Sequence, residues 1–538
     1  MASKNTFKKM GTSVPTADGK NSSGKAAYDK GAKTALAQLA VTGCFNQTYY
    51  TTAEDQLAQV LNLAKQVEPE FIAKVAVYAR ESGFMKDMPA SLVVYLTTVD
   101  AVAARKAFPK VINNGKMLRN FVQIVRSGAF GRHNVSSATM KRLIGGWFES
   151  RTDDDVFFSS IGNNPSIGDV VKMSRPSPKT KERSALFAHL IGKKMAKFNN
   201  EEFEVEGSLP ARMAAYEAYR KEPKGELPRA PFEMLTGLTL SDEDWKTIAT
   251  RATWTQTFKN LNTFSRHNVF KDAAMVKLVA DKLRNEKLIK DANVFPYQLL
   301  MTYKAVVEGV RGAFTKDEQF EVPREVIEAI QDAMEVAVSN VPALSGNVVL
   351  CPDVSGSMSS GQITGFRKGS TTMVRCIDVA GLLAAVFLRR NSTARVLPFE
   401  GDVRQVALNP RDSIMTNATK LSAIRGGATN CSAPLALLNK ERASVDFVVF
   451  VSDYESWSGH YGASRGTPMM EQWAILKARN PNAKLVCIDL TPQTMTQAPD
   501  REDILNVGGF SDTVFKVVDA FSQGSKDHWV ETIEKVEL

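Results

Sequence analysis

At 538 residues the chain is long enough for at least two cores, since typical domains run roughly 100–200 residues. Its 43% hydrophobic and 23% charged content is that of an ordinary globular protein, and no apolar run reaches the about 20 residues that a bilayer span needs. The net charge of +10 is one-sided: residues 345–538 hold 20 basic and 20 acidic groups, so the whole excess lies in residues 1–344. A basic module of this kind suits phosphate backbones or an acidic surface. The five scattered cysteines (Cys44, Cys351, Cys376, Cys431, Cys487) form no CxxC pair, and no apolar core follows the charges of residues 1–9. Both facts predict a reducing, cytoplasmic setting.

Residues 1–30 are polar and rich in Gly, Ser, Lys and Thr, which predicts a flexible N-terminal arm. Within it, residues 19–26 nearly spell a P-loop, but Ala26 stands where a hydroxyl is needed and no strand precedes it. Thr52 and Asp55 signal a helix start ahead of Leu57, Val60, Leu61, Ala64 and Val67. Pro69 opens a second helix, with Ile72, Val75, Ala76 and Ala79 on one face. The stripe Val326, Ile330, Ala333, Met334, Ala337 repeats the pattern before a linker at 340–346. Helical hairpins repeated without strands predict a HEAT-like module over residues 31–340.

Three segments of that module carry chemistry. Gly128-Ala129-Phe130-Gly131-Arg132-His133 is a loop with a cation and an imidazole. Residues 165–183 crowd Lys172, Arg175, Lys179, Lys181 and Arg183 around Pro176 and Pro178, with Ser174, Ser177 and Thr180 as donors, a composition suited to phosphates. Residues 258–268 interleave amides and aromatics with Lys259, Arg266 and His267, a mixture suited to splayed bases. Phe258, Leu261 and Phe264 share helical spacing there and are expected in the core.

The C-terminal part changes character. Residues 347–352, 445–451, 485–490 and 513–518 are short apolar runs between helical stretches, which predicts a doubly wound parallel sheet. Asp353-Val354-Ser355-Gly356-Ser357 follows the first run, Thr429 precedes a helix at 433–440, and Asp453 ends the second run. One carboxylate and two hydroxyls at alternate positions, completed by a distant Thr and Asp, form an all-oxygen set suited to Mg²⁺. Ligands of such sheets gather at strand carboxyl ends. Residues 345–538 are therefore identified as a von Willebrand factor A-type domain with a metal-ion-dependent adhesion site. The expected ligands are Asp353, Ser355, Ser357, Thr429 and Asp453, and the cofactor is Mg²⁺ or another divalent cation.

Together the two parts resemble the Ro autoantigen family, built from a TROVE module and a terminal A domain. The resemblance is carried by residues 80–90, 231–237 and 261–267, and by Cys351–Met358, Thr429–Cys431 and Asp453. Short loops place it with the prokaryotic branch. It implies an α plus α/β architecture, a HEAT-like ring joined to a Rossmann-like A domain, working as a monomer. It also implies partners: Y RNA on a basic surface, single-stranded ends of misfolded noncoding RNAs in the ring, and an exoribonuclease tethered through the Y RNA. The family usually has an acidic residue where Asn430 stands. The function expected is a non-enzymatic RNA scaffold for noncoding-RNA quality control. A metal-dependent protein adaptor without RNA is the alternative, against which the one-sided charge speaks. A metal-dependent nuclease or phosphatase would cluster more carboxylates than this site offers, and no His lies beside Asp353 (His460 follows Asp453 at seven residues).

Overall fold

A computed structural model describes residues 14–42, 53–131, 134–292, 294–307, 321–341, 343–364, 374–456, 466–509, 512–523 and 529–538. The chain forms two compact units: one holds Glu68–Gln256, His267–Val269 and Val536–Leu538, and the other holds Met1–Val67, Thr257–Arg266 and Phe270–Lys535.

The first unit is a stack of short helices. Pro69 starts the helix Pro69–Glu81, where its missing N–H costs nothing, and Ile72, Val75, Ala76 and Ala79 are buried as the spacing predicts. Asp100 caps Ala101–Val111 by accepting from the amides of Val102 and Ala103. Gly128 ends Gly115–Ser127 at a φ of 70°, a left-handed turn that other residues adopt with strain. Phe108 and Phe121 meet edge to face at 5.1 Å and join two of these helices. The unit is not free of strands: Met195–Phe198 pairs antiparallel with Glu201–Glu204. Asn199 and Asn200, at φ 50° and 70°, supply the two left-handed positions of that hairpin turn.

The second unit is built on a five-stranded parallel sheet. Its order is Ile504–Gly508, Lys484–Asp489, Phe447–Ser452, Val348–Pro352, Arg395–Val396. Three of the expected strands are in place and buried along almost their whole length, because helices cover both faces. The fourth is corrected. Residues 513–518 lie in the helix Asp512–Ser522, and the fifth strand is Ile504–Gly508. Val514, Val518 and Phe521 are buried at helical spacing, whereas Asn506 interrupts the apolar run of the true strand. That amide is accommodated because it donates to the Ala498 carbonyl and to Asp500.

The expected N-terminal arm is also corrected for residues 19–30. Gly19–Lys20 and Ala26–Asp29 form a hairpin, and Ala26–Asp29 pairs antiparallel with Met495–Thr496. Lys30 is buried and ion-paired with Asp489 at 2.9 Å. Polar composition hid this because the partners are polar too.

Helices C-terminal to residue 270 belong to the same unit. In Arg324–Ala337 the stripe Val326, Ile330, Ala333, Met334, Ala337 is buried as expected. Lys304 of Pro296–Val307 reaches Asp378 of Cys376–Arg390 at 2.7 Å, beside Arg375 at 2.9 Å. Among the described residues no helix is long and apolar enough to cross a membrane.

Candidate metal centre and nucleic-acid interface

The strand Val348–Pro352 is followed in sequence by Arg395–Val396 on one side and by Phe447–Ser452 on the other. The chain therefore reverses its winding there, and the crevice at the strand carboxyl ends is the topological switch point. Asp353 and Asp453 stand at that crevice as the first residues after the two strands. Backbone bonds knit the loops together: the Asp353 amide donates to Val451 O at 2.9 Å, that of Val354 to Phe399 O at 2.8 Å, and that of Gly356 to Gly427 O at 3.1 Å. Gly426 is required by close approach, since a Cβ there would lie 2.2 Å from the Val354 carbonyl oxygen.

All five expected ligands are buried, Asp353 and Ser355 at 0% exposure. Ser355 donates its amide to Asp353 at 2.8 Å, and its hydroxyl lies 3.2 Å from that of Ser357. Ser452 donates to the other Asp353 oxygen at 2.6 Å. Burial raises the pKa of both carboxyls well above the ordinary range, and for Asp453 the charge of Asp353 adds to it. Hydrogen bonds from Ser452 and Ser355 to Asp353, and from Ser357 to Asp453, oppose the shift without cancelling it.

No lysine or arginine is ion-paired to either aspartate among the described residues. Two buried carboxylates that repel one another, with hydroxyls turned between them, form a donor set that fits a hard divalent cation. No cluster of three or more His, Cys, Asp and Glu suited to a metal occurs among the described residues, and the set here is two carboxylates with hydroxyls. Asn430 does not take an acidic residue's place as a donor. Its Oδ1 accepts from the amide and hydroxyl of Ser432, and its Nδ2 donates to Gly401 O. Motif spacing did not expose two supports. Glu400 accepts from the Gly427 amide at 3.1 Å, and Glu455 accepts from the amide and hydroxyl of Ser22, both at 3.0 Å. His460 lies outside the described residues.

The basic segment divides into exposed and committed cations. Ile167–Ser174 ends at Arg175, in the left-handed region at φ 50°, so the chain turns out into the loop 175–180. Lys172, Arg175, Lys179 and Lys181 are exposed. Lys179 lies 3.3 Å from Glu149, and Lys181 lies 4.8 Å from the Phe203 ring centroid. Arg183 is spent on structure: it donates to Phe148 O at 2.7 Å and to Arg151 O at 2.6 Å, and pairs with Asp153. It fastens the loop instead of facing outward.

In the later segment Phe258, Leu261 and Phe264 are core, as their spacing predicts. Lys259 is exposed, 5.6 Å from the Phe258 ring centroid. Arg266 is half-buried, and His267 stacks flat on Trp245 at 3.9 Å. Lys259 and Arg266 belong to one unit and Lys172–Lys181 and His267 to the other. Arg132 and His133 lie outside the described residues.

Comparison with known proteins bears on the fold and the family likeness. The Ro60 vWA domain family matches residues 347–522. The RNA-binding protein RO60 of Deinococcus radiodurans is 25% identical over 94% of this chain and 95% of its own length. The RNA-binding protein RO60 of Caenorhabditis elegans is 21% identical over 47% of this chain and 38% of its own length. The crystal structure of the Deinococcus radiodurans RO (RSR) protein superposes with a TM-score of 0.63 at 20% identity, covering 92% of this chain and 99% of that one. The fold class is thus the one expected, a helical-repeat module with a Rossmann-like A domain, and the Ro resemblance extends along nearly the whole chain.

Proposed function

We propose that this Ro-family chain is an RNA-binding scaffold, without catalytic activity of its own, for the handling of structured noncoding RNA in the cytoplasm. The observation that carries the reading is the exposed cationic loop 172–181, within the part of the chain, residues 1–344, that holds the entire charge excess. Two relatives that carry the name RNA-binding protein support it. The finer assignment is a Y RNA partner, capture of single-stranded ends of misfolded RNAs, and recruitment of an exoribonuclease through the Y RNA. Lysine and arginine side chains on an open loop supply phosphate contacts, and these carry no base sequence. Selectivity then comes from RNA shape and unpaired ends. Binding driven by counterion release falls steeply with salt, with a slope of about −0.7 to −0.9 per phosphate contact. Fluorescence anisotropy with a tailed hairpin RNA, titrated from about 50 to 200 mM salt, is expected to show a drop of about a hundredfold or more. A flat profile contradicts the reading.

In the A domain, Asp353, Ser355, Ser357, Thr429 and Asp453 would hold Mg²⁺ directly or through water. The ion would neutralise the carboxylate pair, and an open coordination position would accept a carboxylate from a protein partner. The fit of the donor set supports this reading. Mg²⁺ at about 100 times its dissociation constant is expected to stabilise the unit by about 2.7 kcal/mol. Asp353→Asn removes a ligand and relieves the repulsion with Asp453. Its melting temperature without metal is expected to equal or exceed that of wild type, while its response to Mg²⁺ disappears. An unchanged Mg²⁺ response in differential scanning calorimetry counts against ligation.

A further inference from the structure

The helical unit contains a second cationic cleft that shares no residue with the loop 172–183. Its volume is about 600 Å³, within the range of ligand pockets. The floor is apolar and partly aromatic, formed by Pro228, Pro231, Phe232, Leu235 and Ile248. Three arginines, Arg212, Arg229 and Arg251, line it beside Phe158.

The arginines are not equivalent. Arg212 is set over the Phe158 ring, 5.1 Å from its centroid, and is oriented by Asp154 at 2.8 Å and by the Arg229 carbonyl at 3.3 Å. Arg251 donates to Glu226 at 3.2 Å and to Leu227 O at 3.4 Å. Both side chains stay about half exposed, at 54% and 45%, and line the cleft with guanidinium donors to spare. Asp154 and Glu226 balance these two charges. The Arg229 side chain is exposed and, among the described residues, has neither ion pair nor hydrogen bond.

A preset guanidinium plane over an aromatic ring, an apolar floor and one uncommitted cation match the parts of an unpaired nucleotide. The base has a π-face for Arg212 and Phe158 and an apolar body for the proline-lined floor, and the phosphate meets Arg229. We infer that this cleft takes one unpaired ribonucleotide of a bound RNA. The inference rests on the RNA-binding reading above and assigns a place to its unpaired segment.

The test compares wild type, Arg229→Glu and Arg229→Lys on two RNAs, a two-stranded duplex with an unpaired 3′ tail and the same duplex with blunt ends and no unpaired nucleotide. Arg229 is exposed and holds no partner, so its replacement leaves the fold intact. Arg229→Glu is expected to weaken binding of the tailed RNA by about tenfold or more, from the loss of a phosphate contact and a stacked base, and to change blunt binding less than about twofold. Arg229→Lys, which keeps the charge, is expected to recover most of the loss. If Arg229→Glu binds the tailed RNA like wild type, the cleft assignment falls, the RNA reading stands, and the cleft is left to a protein partner. Equal weakening on both RNAs also overturns the assignment, because Arg229 is then a contact to duplex backbone. If wild type binds neither RNA, the cleft assignment and the RNA reading fall together.

Discussion

Replacing Lys30 with alanine is expected to destabilise the sheet-containing unit by about 3–5 kcal/mol, the usual cost of removing one partner from a buried ion pair. The Lys30 ammonium, at 1% exposure, lies 2.9 Å from Asp489, which ends a central strand at 5%. It also donates to Gln38 at 2.8 Å, so one side chain joins the N-terminal hairpin, the helix Ala32–Thr42 and the sheet. Burial already pushes the Asp489 carboxyl up, with Lys30 pulling it back. Without Lys30 the folded-state value climbs further above the unfolded one, near 3.9. The titrating part of the variant's deficit therefore opens only above the wild-type folded-state value of Asp489, which burial already holds above the unfolded one, and grows as pH rises towards the variant's higher value. Urea unfolding at neutral and acidic pH checks both magnitude and sign. The double replacement Lys30→Met with Asp489→Leu is expected to restore most of the loss, because no charge is left stranded. A Lys30→Ala variant as stable as wild type at neutral pH contradicts the account of the hairpin as an integral strand.

Reversing Lys172, Arg175 and Lys179 to glutamate is expected to weaken RNA binding by about 3–6 kcal/mol at low salt, or about two to four orders of magnitude. Each reversal removes a phosphate contact and adds a repulsion of about 1 kcal/mol at water-like permittivity. The salt slope should flatten by about three contacts' worth. All three side chains are exposed, and the ion pair that Lys179 makes with Glu149 is solvent-screened. Circular dichroism and a thermal melt should match wild type. A folded triple variant with wild-type affinity removes the loop from the interface. Arg183 is not interchangeable with these three. Its ties to Phe148, Arg151 and Asp153 predict that Arg183→Glu would disturb the loop itself.

The residues of the candidate metal centre were legible as a set because their pattern is largely local. Asp353, Ser355 and Ser357 lie within five residues, Asp453 follows an apolar run that announces a buried strand, and Thr429 lies just ahead of a helical run. The helical stripes at 72–79 and 326–337 were legible for the same reason, since one face of each is wholly apolar. The strand at 504–508 was missed because Asn506 breaks its apolar run, and residues 513–518 misled because four apolar residues in six satisfy both periodicities. The hairpin at 19–29 was illegible because its stability comes from Glu455, Ser456 and Asp489, more than four hundred residues away. Arg183 looked like its neighbours in composition, and only the carbonyls around it separate a fastening cation from an exposed one. The arginine cleft was silent too, because Phe158, Arg212, Arg229 and Arg251 share no motif and meet only through the fold.

The measurement that bears most directly on the scaffold reading is a competition between a structured RNA with a single-stranded 3′ tail and the same RNA with a blunt end, followed across a salt titration. The account predicts binding of both at low salt, a steep loss as salt rises, and a preference for the tailed RNA that survives at the higher salt because unpaired bases add contacts beyond the phosphates. Absence of binding to either RNA at low salt would contradict it and bring forward the A domain as a metal-dependent adaptor for proteins.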